Sequence, residues 1–166
     1  GLRVVRLKGG DSFVFGRGGE EWIACGEAGV PVRVIPGVTS AVSVPALAGI
    51  PVTHRGLSQG FTVVSGHVPP GDPRSNIDWD ALAGSGTTLV LLMAVHNLPL
   101  IAERLIGAGL AASIPTAIVS DGSTEQQHRL SCTLGEAGDL AQAEGVRPPA
   151  IVVVGEVAEF RLSSAG

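Results

Sequence analysis

Two short runs constrain the fold more than anything else in this chain. Thr87-Thr88-Leu89-Val90-Leu91-Leu92-Met93 and Ile151-Val152-Val153-Val154 lack the polar alternation of a half-exposed strand. Runs of this kind belong to strands buried on both faces, so their sheet needs a packed layer on each side. The segments around them supply those layers. Phe61–Ser65 reads as a strand, and Asp78 caps a short helix. Leu98–Ile106 reads as a helix with Pro99 in its first turn and Gly107 after it, and Thr116–Ser120 as a strand. The turn Asp121-Gly122-Ser123 precedes an alternating strand over Gln127–Thr133 and a helix over Glu136–Glu144. Val157–Leu162 is expected to return as an antiparallel edge strand. Strands alternating with helices predict an α/β fold with a mainly parallel sheet.

The first third follows the same grammar. A strand is expected at 3–8, a glycine loop at 9–19, a helix at 20–28 and a strand at 32–35. Glu20 and Glu21 suit the positive end of that helix, and Gly29 ends it. Thr39 and Ser40 precede a short helix over Ala41–Ala48 that Gly49 terminates. Ile50-Pro51-Val52-Thr53-His54-Arg55-Gly56 has the mixed polarity of a crossing between lobes. The expected division is therefore an N-terminal α/β lobe over 1–49, a crossing over 50–60 and a C-terminal α/β lobe over 61–166. The chain opens on Gly1, not Met, almost directly into strand-like sequence, so it is expected to be part of a longer protein whose first lobe is incomplete here.

Composition removes several function classes. The net charge of −4 argues against nucleic acid or an anionic membrane as partner. Aromatic residues are only 4% and Tyr is absent, so no surface for stacking bases is expected. No apolar run reaches the ~18 residues that cross a bilayer. Cys25 and Cys132 have no zinc or disulfide spacing and read as reduced thiols of a cytosolic protein. No Ser/His/Asp or Cys/His nucleophile arrangement and no metal motif stands out. His67 and His96 read as ordinary polar residues, and His128 as exposed.

The candidate site begins at Leu7-Lys8-Gly9-Gly10-Asp11 and continues to Glu21. Five glycines within positions 9–19 exceed what a turn needs, and a backbone without Cβ atoms lets a ligand approach to contact distance. The loop is neither G-x-x-x-x-G-K-[ST] nor G-x-G-x-x-G, and a carboxylate at Asp11 would repel a pyrophosphate. A polar, partly cationic small molecule fits better; a β-turn with a solvated Asp is the alternative. Thr39-Ser40 reads equally as a helix cap or a ligand contact. Met93 is either core filler or a ligand contact, and Gly122 either a turn residue or part of a site. These positions share one property: each lies at or just beyond the C-terminal end of an expected strand, the ligand-binding rim of an open sheet. Arg6, Lys8 and Arg17, together with His54-Arg55, are the local concentrations of positive charge. They are either solvated or a site for substrate carboxylates.

Val4 through Glu21, Ile35-Pro36-Gly37-Val38-Thr39-Ser40 and Gly49-Ile50-Pro51-Val52-Thr53-His54-Arg55-Gly56 together resemble the tetrapyrrole methylase family. Within it they are similar to the uroporphyrinogen-III C-methyltransferases and to the methylase part of sirohaem synthase. Met93, Asn97-Leu98-Pro99, Asp121-Gly122-Ser123 and Pro148 through Val157 extend the resemblance over essentially the whole chain. It implies two α/β lobes that bind S-adenosyl-L-methionine, with S-adenosyl-L-homocysteine as the spent form. It also implies a cytoplasmic homodimer that methylates uroporphyrinogen III to precorrin-2 through precorrin-1. Carried over by position, the cofactor contacts are Gly9, Gly10, Asp11, Val14, Thr39, Ser40, Met93 and Gly122. Arg17, His54 and Arg55 become candidate clamps for the eight carboxylates of the substrate. The family's proton-transfer residues have no counterpart on this chain. Ser12 replaces the family's usual Pro, and Ala94 its common Gly. The alternatives are a precorrin methyltransferase of the same family or a non-catalytic cofactor-binding fragment.

Overall fold

The structure, a computed structural model, describes residues 1–160. Contacts divide the chain into two compact units, Gly1–Ser40 and Ala41–Gly166.

The first unit contains one regular element, helix α1 (Gly18–Glu27). Glu20 and Glu21 lie in its first turn, as their charge favours. The strands expected at 3–8 and 32–35 do not form. Both segments have strand-like composition, but an isolated extended segment has no ladder to satisfy its N–H and C=O groups. Composition marks a segment as able to pair; it does not supply the neighbour. The N-terminal segment is instead tied to α1 by charge. Lys8 Nζ lies 2.8 Å and Arg6 Nη2 3.1 Å from the Glu21 carboxylate.

The second unit is built on a five-stranded sheet. Helix α2 (Ser40–Leu47) leads into it, and then come β1 (Phe61–Ser65), α3 (Trp79–Ala83), β2 (Thr88–Leu92) and α4 (Leu98–Gly107). The chain continues through β3 (Pro115–Ser120), β4 (His128–Thr133), α5 (Ala137–Ala143) and β5 (Ala150–Val154). Local signals act where expected. The Asp78 carboxylate accepts the Ala81 N–H at 3.0 Å and caps α3, a bond worth ~1 kcal/mol. Pro99 sits in the first turn of α4.

The strand order is β1-β2-β5-β3-β4, and the sheet is mostly antiparallel, contrary to the expected mainly parallel one. Only β1 and β2 pair in parallel; β2–β5, β5–β3 and β3–β4 are antiparallel. The reason lies in how the helices carry the chain. Each strand–helix–strand unit does join strands of the same direction: β1 to β2, β2 to β3, and β4 to β5. After β2, however, the crossover skips one position, and β5 fills it from the opposite direction. The connection from β3 to β4 is a hairpin, which permits only antiparallel pairing. The expected edge strand at 157–162 is also replaced. Gly155, at φ 139, turns the chain after β5, and Glu156–Glu159 form a short 3-10 turn. Residues 161–162 lie outside the described residues.

The expected burial on both faces holds for β2 and β5. Leu89, Leu91, Ile118, Val152 and Val154 join Leu98, Ile101 and Leu105 of α4 and Ala137 and Ala141 of α5 in one core. Val90, Leu92, Ala117, Val119, Ile151 and Val153 join Ala41 and Val44 of α2, with Ile50, in the other. Alternate residues along one strand therefore serve opposite cores.

Candidate functional site

In the first unit the glycine loop is held together by its own backbone. Gly18 N–H donates to Ser12 O at 2.8 Å, and a Cβ on Gly18 would fall 2.6 Å from that same oxygen. Gly10 takes φ 69, and an added Cβ there would lie 3.7 Å from Thr39 Cα and 3.9 Å from Ser40 N. The structure thus brings Gly10 to the backbone of Thr39 and Ser40. Gly9 differs from its neighbours: it is exposed, and a Cβ there would meet no atom within 4 Å. Gly16 and Gly18 are explained by close packing within the loop, whereas the bare backbone at Gly9 faces open space. Val14 is exposed at the tip, and Phe13 stacks on Trp22 of α1 with ring centroids 5.6 Å apart.

Asp11 does more than stand in a turn. Its carboxylate accepts the Phe13 N–H at 2.8 Å and the Gly37 N–H at 3.0 Å, joining the loop to a segment 26 residues away. The Gly37 bond first, and the Phe13 bond next, hold its pKa below the ordinary 3.8. A depressed carboxylate contributes stability that is present above its ordinary value and is lost as pH falls through the lowered one. The amide proton shifts of Phe13 and Gly37 are therefore expected to stay constant from pH 7 to about pH 4 and to move together below it. A common midpoint above 3.8 would contradict these bonds.

Gly37 is not among the candidate site residues drawn from the sequence, where it stands only within the run Ile35–Ser40. A Cβ at that position would lie far inside van der Waals contact distance of the Gly10 carbonyl oxygen. A proline-glycine pair 26 residues downstream of a glycine loop carries no local sign of this approach.

The expected basic concentration in this unit is largely neutralised. Lys8 and Arg6 hold Glu21, with Lys8 the larger influence in lowering its pKa. Arg17 is left-handed at φ 58, occupies the N-cap position of α1 without a side-chain cap bond, and lies 3.1 Å from Glu20. The Arg17 side chain is 81% exposed, so solvent screens the pair and it contributes little to stability.

In the second unit, Met93 and Gly122 lie beyond the C-terminal ends of β2 and β3, which run in the same direction and end at the same rim. Met93 is not core filler: it is 48% exposed and left-handed at φ 55, an uncommon conformation for a residue with a Cβ. Beside it, the end of β1 is fixed tightly. A Cβ on Gly66 would sit 2.6 Å from the Ala94 Cβ. The buried Asn97 donates from Nδ2 to Gly66 O at 2.8 Å and His67 O at 3.0 Å. Gly122 stands between left-handed Asp121 and Ser123, and a Cβ there would come 2.5 Å from Val44 Cγ2 of α2. Helix packing alone therefore demands glycine at this position. Asn97 was absent from the sequence-derived candidates, and no short-range pattern distinguishes it from a helix-capping Asn.

The strand-end argument thus holds for Met93 and Gly122 and fails for Gly9–Asp11 and Thr39-Ser40, whose preceding strands are absent. His54 and Arg55 are exposed in a tight turn, where the His54 N–H donates to Ser58 O at 3.0 Å. The His54 ring leans on Phe160 with centroids 5.0 Å apart. Burial first, with the charge of Glu136, pushes the Cys132 thiol up to about 11, so at neutral pH it is no nucleophile. Among the described residues no group of His, Cys, Asp and Glu is placed to hold a metal ion.

The chain is 46% identical over 158 residues to the uroporphyrinogen-III C-methyltransferase of Methanocaldococcus jannaschii, covering 95% of this chain and 64% of that protein. It is also 46% identical over 161 residues to siroheme synthase 2 of Klebsiella pneumoniae, covering 97% of this chain and 34% of that one. The crystal structure of uroporphyrin-III C-methyl transferase from Thermus thermophilus complexed with S-adenyl homocysteine superposes with a TM-score of 0.78 at 43% identity. That match covers 94% of this chain and 64% of that one. The chain therefore spans between one third and two thirds of the length of these relatives. Residues 1–138 match the Tetrapyrrole (Corrin/Porphyrin) Methylases, and the chain belongs to that family.

Proposed function

We propose that this chain is part of an S-adenosylmethionine-dependent uroporphyrinogen-III C-methyltransferase, which methylates two ring carbons of uroporphyrinogen III to give precorrin-2 through precorrin-1. The product would feed sirohaem and cobalamin biosynthesis. The observation that carries this reading is the bare, open backbone at Gly9, set beside a carboxylate and against the Thr39-Ser40 backbone. An ionised Asp11 suits a sulfonium-bearing ligand and disfavours a phosphate. Each of its oxygens already accepts one N–H and keeps lone-pair capacity for a ligand.

The proposed cofactor contacts are Gly9, Gly10, Asp11, Val14, Thr39, Ser40, Met93 and Gly122. When bound, S-adenosylmethionine supplies a methyl group already activated on sulfur, so the protein needs neither a nucleophile nor a metal for this reaction. The work of the chain is to position the reactants and exclude water. Arg17, His54 and Arg55 are proposed to take substrate carboxylates. Residues 1–49, 50–60 and 61–166 are assigned to a first lobe, a crossing and a second lobe of the longer enzyme. We place that enzyme in the cytoplasm as a homodimer; the free thiols of Cys25 and Cys132 accord with that compartment.

Gly9→Val tests the reading, because its Cβ enters open space with no protein atom within 4 Å. Calorimetric titration with S-adenosylhomocysteine is expected to show saturable binding by the natural chain. At least a tenfold loss, about 1.4 kcal/mol, is expected in the variant. Equal affinity for both chains would remove the glycine loop from the cofactor site.

A further inference from the structure

The last carbonyls of a helix have no partner within it. At the end of α2 the N–H groups of Ala48, Gly49 and Ile50 take the carbonyls of Val44, Ala46 and Pro45, and side chains from the β3–β4 hairpin take the next two, Leu47 and Ala48. Gln127 Nε2 donates to Leu47 O at 3.4 Å, and Arg129 Nη1 donates to Ala48 O at 2.9 Å. The same guanidinium turns Nη2 to Ala158 O at 2.7 Å and to Phe160 O at 3.3 Å. Arg129 pairs with Val119 across the hairpin, and Val119 belongs to the core shared with α2. The arginine therefore stands on the α2 face of the sheet. One planar fork joins β4, the end of α2 and the turn after β5. A lysine ammonium lacks the geometry to reach all of them at once.

The hairpin turn held by these residues carries Gly122. Its backbone closes through Thr124 N–H to Asp121 O at 3.1 Å, and Asp121 N–H reaches Pro149 O at 3.0 Å at the start of β5. Gln127 contacts both sides of the junction, since its Oε1 accepts the Ser123 N–H at 2.9 Å while its Nε2 donates to α2. Gly122 meets Val44 at the middle of α2, and Arg129 and Gln127 hold that helix at its end.

We propose that Arg129, assisted by Gln127, is a positioning residue for the cofactor site: it locks the end of α2 to the β3–β4 hairpin and so sets where Gly122 lies at the rim. This rests on the reading that Gly122 lines the site. It also explains a polar expenditure that the sheet itself does not require, an arginine committed to backbone carbonyls of two distant segments.

The test uses Arg129→Met, Arg129→Lys and Gln127→Ala in the full chain, at a temperature where each is folded by circular dichroism. Amide exchange is measured at Asp121 and Thr124, neither of which donates to a mutated side chain, and at β2 and β5. Affinity for S-adenosylhomocysteine is measured beside it. In Arg129→Met the two turn amides are expected to exchange at least tenfold faster, with β2 and β5 unchanged and affinity down at least tenfold. Arg129→Lys and Gln127→Ala should fall between Met and the natural chain, and they carry the test if Arg129→Met does not fold. Unchanged turn exchange, or exchange rising equally throughout the sheet, would overturn the proposal, the latter marking a plain stabilising role. Faster turn exchange with undiminished affinity would also overturn it. If the natural chain binds no S-adenosylhomocysteine, the cofactor reading fails, and turn exchange alone still decides whether Arg129 positions Gly122.

Discussion

Gly37→Ala is expected to separate the glycine loop from the segment that precedes Thr39 and to abolish measurable S-adenosylhomocysteine binding. The added methyl group would lie far inside contact distance of the Gly10 carbonyl oxygen and 2.8 Å from Gly10 C. Both atoms are backbone, so no side-chain rotation relieves the clash. Overpacking commonly costs ~1–3 kcal/mol even where side chains can yield. Here the loop itself must move, and its movement breaks the bond from the Gly37 N–H to Asp11 at 3.0 Å. Amide exchange at Phe13 and Gly37, read with calorimetry, checks the result. If both amides stay protected and affinity survives, Gly10 and Gly37 do not approach in the way described. Gly37→Ala and Gly9→Val thus probe the loop differently, the first through its architecture and the second through its open surface.

Leu91→Ala should destabilise the second unit strongly. Leu91 is fully buried in a strand that pairs on both sides, and its side chain lies in the core with α4 and α5. Deleting a buried isobutyl group costs about 2–5 kcal/mol, set by how far the surroundings collapse. Collapse is limited here because the neighbouring strands tie the backbone in place. A fall in melting temperature on the order of 10 °C is expected, with an unchanged denaturant slope. A loss below about 1 kcal/mol would mean that the site refills, and that β2 is less firmly held than its burial implies. Leu100, half exposed on α4, provides the contrast: its replacement by alanine should cost far less.

Most of the second unit was legible because its signals are local. Asp78 announces α3, Pro99 and Gly107 bracket α4, and the unbroken apolar runs of β2 and β5 announce burial on both faces. Glycine-rich sequence marked the loop at 9–19 for the same reason: the freedom of a residue without a Cβ is a property of that residue. Positions 3–8 and 32–35 show the limit. Their composition signals a capacity for pairing, and pairing depends on a second segment.

What the sequence by itself determined was therefore the inventory: which segments are helices, which strands are doubly buried, and which loop leaves its backbone bare. It also carried enough long-range pattern for the family to be identified. Tertiary structure alone decided who neighbours whom. Alternating strands and helices set the directions of consecutive strands, yet β5 enters between β2 and β3 and makes the sheet mostly antiparallel. Asp11 finds the Gly37 N–H, Asn97 finds the carbonyls of Gly66 and His67, and Arg129 finds Ala48 and Ala158. Each contact joins residues at least 26 positions apart. Propensity acts within a few residues, whereas hydrogen bonds and packing act through space, and only the folded chain brings those partners within reach.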